Sequence, residues 1–357
     1  MNTAIIIPVL NPDEKTTTFV NKLREEGFKN IIVIDDGSCS ECQKYFDEMR
    51  QYPECTVLVH EVNRGKGAAL KTAFAYLAEK RPDIDSAVTA DGDGQHTTDS
   101  LNRCLEKFKE NPDAVIFGGR DFSDNNIPAR SRFGNKLSSV VYKFACGINL
   151  KDTQTGLRVI PAACFERFSK LKGDRYEYET NMIIDIASGN IPYYEVPIET
   201  IYINDNESSH FNPVKDSIKI YVVVLRNLAK FLLNSLISWV IDEGLYYVFL
   251  SVLAGSHEAR TLLSILFARV LSSIVNYALN RKTVFKSKES VWKTALKYYA
   301  LAACMLAISM GLVDTFAVKI LKVDGFLSLV VKCVVDIVLF ALSYTVQRKW
   351  VFKKKEQ

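Results

Sequence analysis

The stretch VTADGDGQH (Val88–His96) sets the reading of the first half of the chain. An apolar, β-branched run stops at two carboxylates one glycine apart, and a helix-length segment, Thr97–Glu110, follows. The same order recurs upstream. NIIVID runs into IDDGS (Ile34–Ser38), and the β-rich runs AIIIPV, TVLVH and AVIFGG are separated by helix-length segments such as Pro12–Glu26 and Gly67–Lys80. This alternation predicts an α/β domain, Rossmann-like, with parallel strands joined by crossover helices. In such sheets ligands bind beyond the carboxyl ends of the strands, where both acidic turns fall.

Residues i and i+2 of an extended segment point to one side. Asp91 and Asp93 can therefore offer oxygens to one hard cation, Mg2+ or Mn2+, and the cation can bridge a diphosphate. Gly92 and Gly94 keep the backbone slim, and Gln95 adds a neutral polar contact. An acidic surface turn is the plain alternative. A calcium loop would want Asp or Asn at Gln95 and Gly at His96. NRGKGAALKTA (Asn63–Ala73) places glycines and Lys66 at a helix start, where unpaired N–H groups and the helix dipole favour anions. It is not a Walker A, because Gly67 follows Lys66 where Ser or Thr is needed. It is not a complete GxGxxG either, because Leu70 takes the third glycine's place.

In chain order, IIIPVLN, VIDDGS, NRGKGAAL, ADGDGQH, GGRDF and DTQTGLR together resemble glycosyltransferase family 2, in particular the polyprenyl-phosphate sugar synthases that include the dolichol-phosphate mannose synthases. The resemblance spans residues 1 to about 212. It implies a GT-A fold, a UDP- or GDP-linked sugar donor, a divalent metal on Asp91 and Asp93, and inverting transfer to a polyprenyl (undecaprenyl) phosphate. Carried over by position, it puts Pro8 and Asn11 in the nucleotide pocket, Asp36 against base or ribose, and Gln95 beside the metal. Lys66 joins the donor contacts. Arg120 and Arg132 match arginines near the donor and acceptor phosphates. Arg158, Glu177 and Glu179 lie in the segment that closes around the sugar. On the acceptor side Ser209 and His210 stand where the family carries basic residues, and Leu10 and Pro12 replace a common aromatic and a frequent acid.

The rest of the composition narrows the partners. Formal charge is +4, with no broad basic surface interleaved with aromatics, so nucleic acid is excluded as a partner. Eight cysteines lack the dense spacing of a disulfide framework and read as reduced thiols. Cys39 and Cys42 form a lone CxxC, read as ordinary thiols in preference to a redox pair or half a zinc site. MNTAIIIPVLN has no basic start or small-residue cleavage site, so the first domain is expected in the cytosol.

After Asn212 the pattern changes. Residues 213–228 read as an amphipathic helix, with Ile218, Tyr221, Val222, Leu225 and Leu228 opposite Lys215, Lys219 and Arg226. Such a helix lies on a membrane surface or packs on the soluble domain, and the apolar neighbours favour the membrane. Four apolar stretches follow, near 229–253, 261–280, 294–317 and 326–347, each close to the ~20 residues that cross a bilayer. Six Lys or Arg lie in Arg281–Lys297 and five follow Gln347. The loops Ala254–Arg260 and Asp314–Gly325 carry one and two, which puts the richer side in the cytosol.

YALNRKTVFK (Tyr277–Lys286) and YTVQRKWVFK (Tyr344–Lys353) repeat at an offset of 67 and end two helical hairpins. The offset matches Arg269 with Asp336 and suggests an ion pair between them, while Asp242 and Glu243 line a polar groove. The layout and the RKxVFK endings resemble the GtrA-like membrane family, whose members accompany polyprenyl-linked sugar pathways. The domains are thus 1–212 (GT-A), 213–228 (interfacial helix) and 229–357 (an all-α, four-helix transmembrane domain). The whole is a multi-pass protein of the cell membrane, and self-association as a homo-oligomer is left open. A lipid-sugar transporter with a binding-only soluble domain and a processive polysaccharide synthase are the rivals. QRKW (Gln347–Trp350) lacks the spacing of the synthases' QxxRW.

Overall fold

The computed structural model describes residues 1–120, 129–199, 215–321 and 325–353, and it divides into two compact units, Met1–Val224 and Leu225–Gln357. In the first, the chain runs β1 (Thr3–Val9), α1 (Glu14–Glu25), β2 (Ile31–Asp36), α2 (Gln43–Arg50), β3 (Cys55–His60), α3 (Lys66–Lys80), β4 (Ser86–Thr89) and α4 (Thr98–Glu110). It continues through β5 (Val115–Arg120), α5 (Ala129–Ala145), β6 (Arg158–Pro161), α6 (Phe165–Ser169), α7 (Glu177–Ser188) and β7 (Tyr193–Ile198).

The seven strands form one sheet in the order β3-β2-β1-β4-β6-β5-β7. Helices cover both faces, so the strands are apolar on both sides. In β1, Ala4 and Ile6 join the core under α3, α6 and α7, while Ile5, Ile7 and Val9 join the core under α1, α2 and α4. Helix starts are sealed locally. The Asp13 carboxylate accepts from the Lys15 amide ahead of α1, and the Thr97 hydroxyl accepts from the Ser100 amide ahead of α4.

The five runs read as strands from the sequence, β1 to β5, all run in one direction, as expected, and the departure is a strand the sequence reading did not include. The sheet is mixed, because β6 runs antiparallel to both β4 and β5. The excursion from β5 to β6 leaves and re-enters at the same, carboxyl, end of the sheet, so β6 can only run backwards. That reversal brings the loop before β6 against the acidic turn after β4. A Cβ on Gly156 would stand 2.4 Å from an Asp91 carboxylate oxygen, so this approach requires glycine.

Helix α8 (Lys215–Val252) is continuous for 38 residues, so residues 215–228 are its first turns and no separate element. Ile220 and Val224 pack into the first unit's core and the Tyr221 hydroxyl lies 3.2 Å from that of Ser138. The side expected to meet the membrane, with Val222 and Leu225, stays exposed.

In the second unit α9 (His257–Leu279), α10 (Val291–Val313) and α11 (Gly325–Val346) follow α8. Among the described residues, four helices are long and apolar enough to cross a bilayer: Ile220–Val252, His257–Val284, Val291–Phe316 and Leu327–Val351. Their outward faces carry leucine, isoleucine and tryptophan, the surface a lipid solvent favours. The chain is a multi-pass membrane protein.

The internal repeat is a structural one. Both repeats end in a π-helical turn, Asn280–Val284 after α9 and Gln347–Val351 after α11. Phe285 stacks on its equivalent, Phe352, with centroids 4.9 Å apart. Tyr277 packs on Phe352 and Tyr344 on Phe285, both at 5.8 Å. Reciprocal contacts of this kind define a pseudo-two-fold relation between the hairpins.

The same relation overturns the expected Arg269–Asp336 pair. Arg269 lies 3.3 Å from Asp242 of α8, whose other oxygen accepts from Ser272, and Asp336 pairs with Lys332 one turn earlier at 2.7 Å. Positions equivalent under a two-fold meet only near its axis, as Phe285 and Phe352 do. Charges elsewhere find partners on a neighbouring helix, as Arg269 does, or one turn away on their own helix, as Asp336 does.

Phe285→Ala and Phe352→Ala should each destabilise the detergent-solubilised protein by about 2–4 kcal/mol, by similar amounts. Trp292→Ala, at an 86% exposed residue, should leave thermal unfolding unchanged.

Candidate active site

A cavity of about 630 Å3 opens at the carboxyl end of the sheet. Pro8 and Asn11 line it from the end of β1, Asp36 from β2, Gly65 and Lys66 from the start of α3, Asp91 and Asp93 from the turn after β4. Arg175 and Tyr176, just ahead of α7, complete the wall.

The wall is held by its own loops. Asn11 takes a left-handed conformation, φ 53°, which Asn tolerates better than most residues. From there its amide donates to Ser38 Oγ at 2.8 Å, and its side-chain oxygen accepts from the Cys39 amide at 2.9 Å. Asp36 is buried, and its oxygens accept from His60 Nδ1 and from the amides of Arg64 and Gly65. That carboxylate therefore anchors the loop that presents Lys66. The glycines of NRGKG serve close approach. A Cβ on Gly65 would meet the Asp174 carbonyl at 2.4 Å, one on Gly67 the Tyr178 side chain at 2.4 Å. The start of α3 and the segment before α7 are thereby pressed together.

Charge gathers where they meet. Lys66 Nζ is 2.7 Å from Asp91 Oδ1 and 3.2 Å from Glu179 Oε2. Arg158 backs Glu179 at 3.6 Å, and His96 Nε2 lies 3.7 Å from Asp91 Oδ2. Burial alone would raise the Asp91 carboxyl, but the Lys66 ammonium and then His96 outweigh it and hold it well below the usual range. Burial would likewise lower Lys66, and Asp91 and Glu179 outweigh that and hold its ammonium above its ordinary value. Asp93 moves the other way, raised by burial and by the neighbouring Asp91 charge.

Of the residues read from the sequence, Pro8, Asn11, Asp36, Lys66, Asp91 and Asp93 come together on the cavity. Glu179 joins them through Lys66. The Gln95 amide donates to Asp93 Oδ1. Arg158 is 1% exposed, and its guanidinium faces the Thr155 carbonyl and Glu179, so it positions Glu179 from inside the core. Arg120 and Arg132 stand outside the cavity lining. Arg120 donates through Nε and Nη2 to Asp152, and Arg132 is half-buried on α5. His210 and Ser209 lie outside the described residues.

The sequence reading missed Arg175, Tyr176 and Asp152. Tyr176 directly precedes Glu177, and Arg175 directly precedes Tyr176, so the segment expected to close around the sugar was signal enough to find them; Asp152 opens DTQTGLR but was given no role.

The donor set suits a hard cation. Asp91 and Asp93 supply carboxylate oxygens, and Asp93 makes no ion pair among the described residues. No group of three or more His, Cys, Asp or Glu side chains able to hold a metal is found among the described residues, so any cation there would draw its remaining oxygens from substrate phosphate and water, as Mg2+ sites commonly do.

Residues 4–168 match the family model for glycosyl transferase family 2, and residues 230–352 match that for the GtrA/DPMS transmembrane domain. A UDP-N-acetylglucosamine–dolichyl-phosphate N-acetylglucosaminyltransferase of Methanococcus voltae is 28% identical over 215 residues, 56% of this chain and 85% of that one. A polyprenol monophosphomannose synthase of Mycolicibacterium smegmatis is 24% identical over 204 residues, 55% of this chain and 76% of that one. Among solved structures, glucosyl-3-phosphoglycerate synthase from Mycobacterium tuberculosis in complex with Mn2+, UDP and glucosyl-3-phosphoglycerate aligns with TM-score 0.46 at 13% identity. That alignment covers 63% of this chain and 79% of that one.

The raised Asp93 has a measurable sign. An acid whose pKa is higher in the folded state than in the unfolded one costs stability once it ionises, and the cost vanishes as pH falls through the raised value. Asp93→Asn should therefore raise Tm at pH 7 in EDTA by about 1–3 °C, a gain that fades on acidification. Thermal unfolding showing a lower Tm at pH 7 would contradict this assignment.

Proposed function

We propose that this chain, a membrane glycosyltransferase built from a family 2 glycosyl transferase domain and a GtrA/DPMS transmembrane domain, moves a sugar from a UDP- or GDP-linked donor to a polyprenyl phosphate on the cytosolic leaflet. The observation that carries the reading is the pairing of Asp91 and Asp93 on one cavity wall with Lys66 between Asp91 and Glu179. The relatives named for dolichyl-phosphate and polyprenol transfer support the acceptor class. Relatives named as transferases support catalysis over a soluble domain that only binds.

The chemistry suits these side chains. A phosphate monoester is already largely dianionic near neutral pH, its second pKa being about 6, so the acceptor needs no general base. The harder task is to bring two anionic groups together. A divalent cation, Mg2+ or Mn2+, held by Asp91 and Asp93 would neutralise the departing nucleoside diphosphate. Lys66, at the positive end of α3, adds fixed charge facing the same group, and Arg175 adds a second cation on the cavity wall. Pro8, Asn11 and Asp36 shape the nucleotide end, Asp36 by fixing the loop that carries Lys66. The acceptor phosphate is assigned to Arg132 and to the donors that Arg120 does not spend on Asp152, and the resemblance assigns His210 to it as well. Direct attack by a phosphate oxygen on the anomeric carbon inverts that centre. The concentration of basic residues after the second and fourth helices supports the cytosolic assignment.

Membranes carrying the protein, given radiolabelled nucleotide sugars and undecaprenyl phosphate, should yield a labelled lipid that requires divalent metal. Asp91→Ala and Asp93→Ala should each lower its formation by about 100-fold or more. Near-normal turnover in both variants would remove the metal role, and absence of product from every donor would remove the transferase reading.

A further inference from the structure

Cys39 and Cys42 are free thiols, as the sequence reads them, and they lie side by side. The two sulfurs lie 3.2 Å apart, close to van der Waals contact, and Cys39 is exposed to solvent. No third metal-ligating side chain gathers around them among the described residues, which leaves no zinc site. The pair occupies the turn between β2 and α2. Its first member donates its amide to the side-chain oxygen of Asn11, a cavity-lining residue held in a left-handed conformation. The preceding residue, Ser38, accepts from the Asn11 amide and in turn donates its own amide to Asp35. The thiols thus sit directly on the latch that fixes the end of β1 at the cavity mouth.

We infer that Cys39 and Cys42 form a reversible dithiol–disulfide site that loosens the cavity's Asn11 latch when oxidised. The oxidant is a disulfide of the glutathione class. Cys39 thiolate attacks one sulfur of the disulfide, forming a mixed disulfide and releasing one thiolate. Cys42 thiolate then attacks Cys39 Sγ and expels the second. The cysteine pair loses two electrons and two protons, and the small disulfide becomes two thiols. Order follows access, since Cys39 is the more exposed. The hydrogen bond with Cys39, then burial, pushes the Cys42 thiol up to about 11, so it stays protonated while that hydrogen bond holds. Closing the bond draws the sulfurs to about 2.05 Å, and this movement pulls on the Cys39 amide. In a reducing cytosol the thiols stay free and the latch stays closed.

The effect on ligand binding rests on the nucleotide reading of the cavity, whereas bond formation does not. The full-length protein in detergent is equilibrated with reduced and oxidised glutathione, digested and weighed, and in parallel titrated with UDP and with GDP by calorimetry. We expect a Cys39–Cys42 peptide lighter by two hydrogens, reversed by dithiothreitol, and nucleotide binding about fivefold weaker in the oxidised form, the equivalent of one lost hydrogen bond. Cys42→Ser should trap glutathione on Cys39. Absence of the linked peptide overturns the site, and a linked peptide with unchanged nucleotide affinity overturns its action on the latch. If the reduced protein binds neither nucleotide, the reading of the cavity falls, and the peptide mass still decides the thiol chemistry.

Discussion

One ammonium group reconciles the acidity of this site with its burial. Asp91, Asp93 and Glu179 would repel one another at the mouth of the cavity, yet Lys66 reaches two of them at once from the first turn of α3. Its reach depends on glycine at Gly65 and Gly67, which let α3 approach the segment before α7, and on Asp36, which fixes the loop ahead of it. The position of one side chain is thus set jointly by the start of α3, the segment before α7 and the end of β2. Under the proposed function, a diphosphate with its cation would meet an array of charges already arranged.

The alternating α/β pattern was legible because the strands are buried on both faces and read as unbroken apolar runs bounded by turns. What could not be read was direction and partnership. Arg158–Pro161 is a four-residue strand whose reversed course follows from where the chain re-enters the sheet, which no local pattern records. The acidic turn and NRGKG were found as anion and cation elements, but their meeting through Lys66 is a tertiary fact. Asp152 was missed for the same reason. Its partner, Arg120, lies 32 residues earlier in the chain.

The membrane unit teaches a related lesson. Its repeat was visible in ten-residue strings, and alignment by offset correctly matched Tyr277 with Tyr344 and Phe285 with Phe352. Equivalence was then mistaken for contact at Arg269 and Asp336. Aromatic rings beside the pseudo-axis meet their counterparts; a charge farther out pairs within its own neighbourhood, where desolvation is offset by the nearest opposite charge.

That interlocked quartet of rings is a clasp in two parts. Each hairpin supplies one tyrosine and one phenylalanine, and each pair packs across on the other hairpin's pair. A lone hairpin would carry half a clasp, and the simplest complement for it is a second copy of itself. With both halves in one chain the clasp is always within reach of its complement, and positions outside it, such as Arg269 and Asp336, can carry opposite charges without disturbing it.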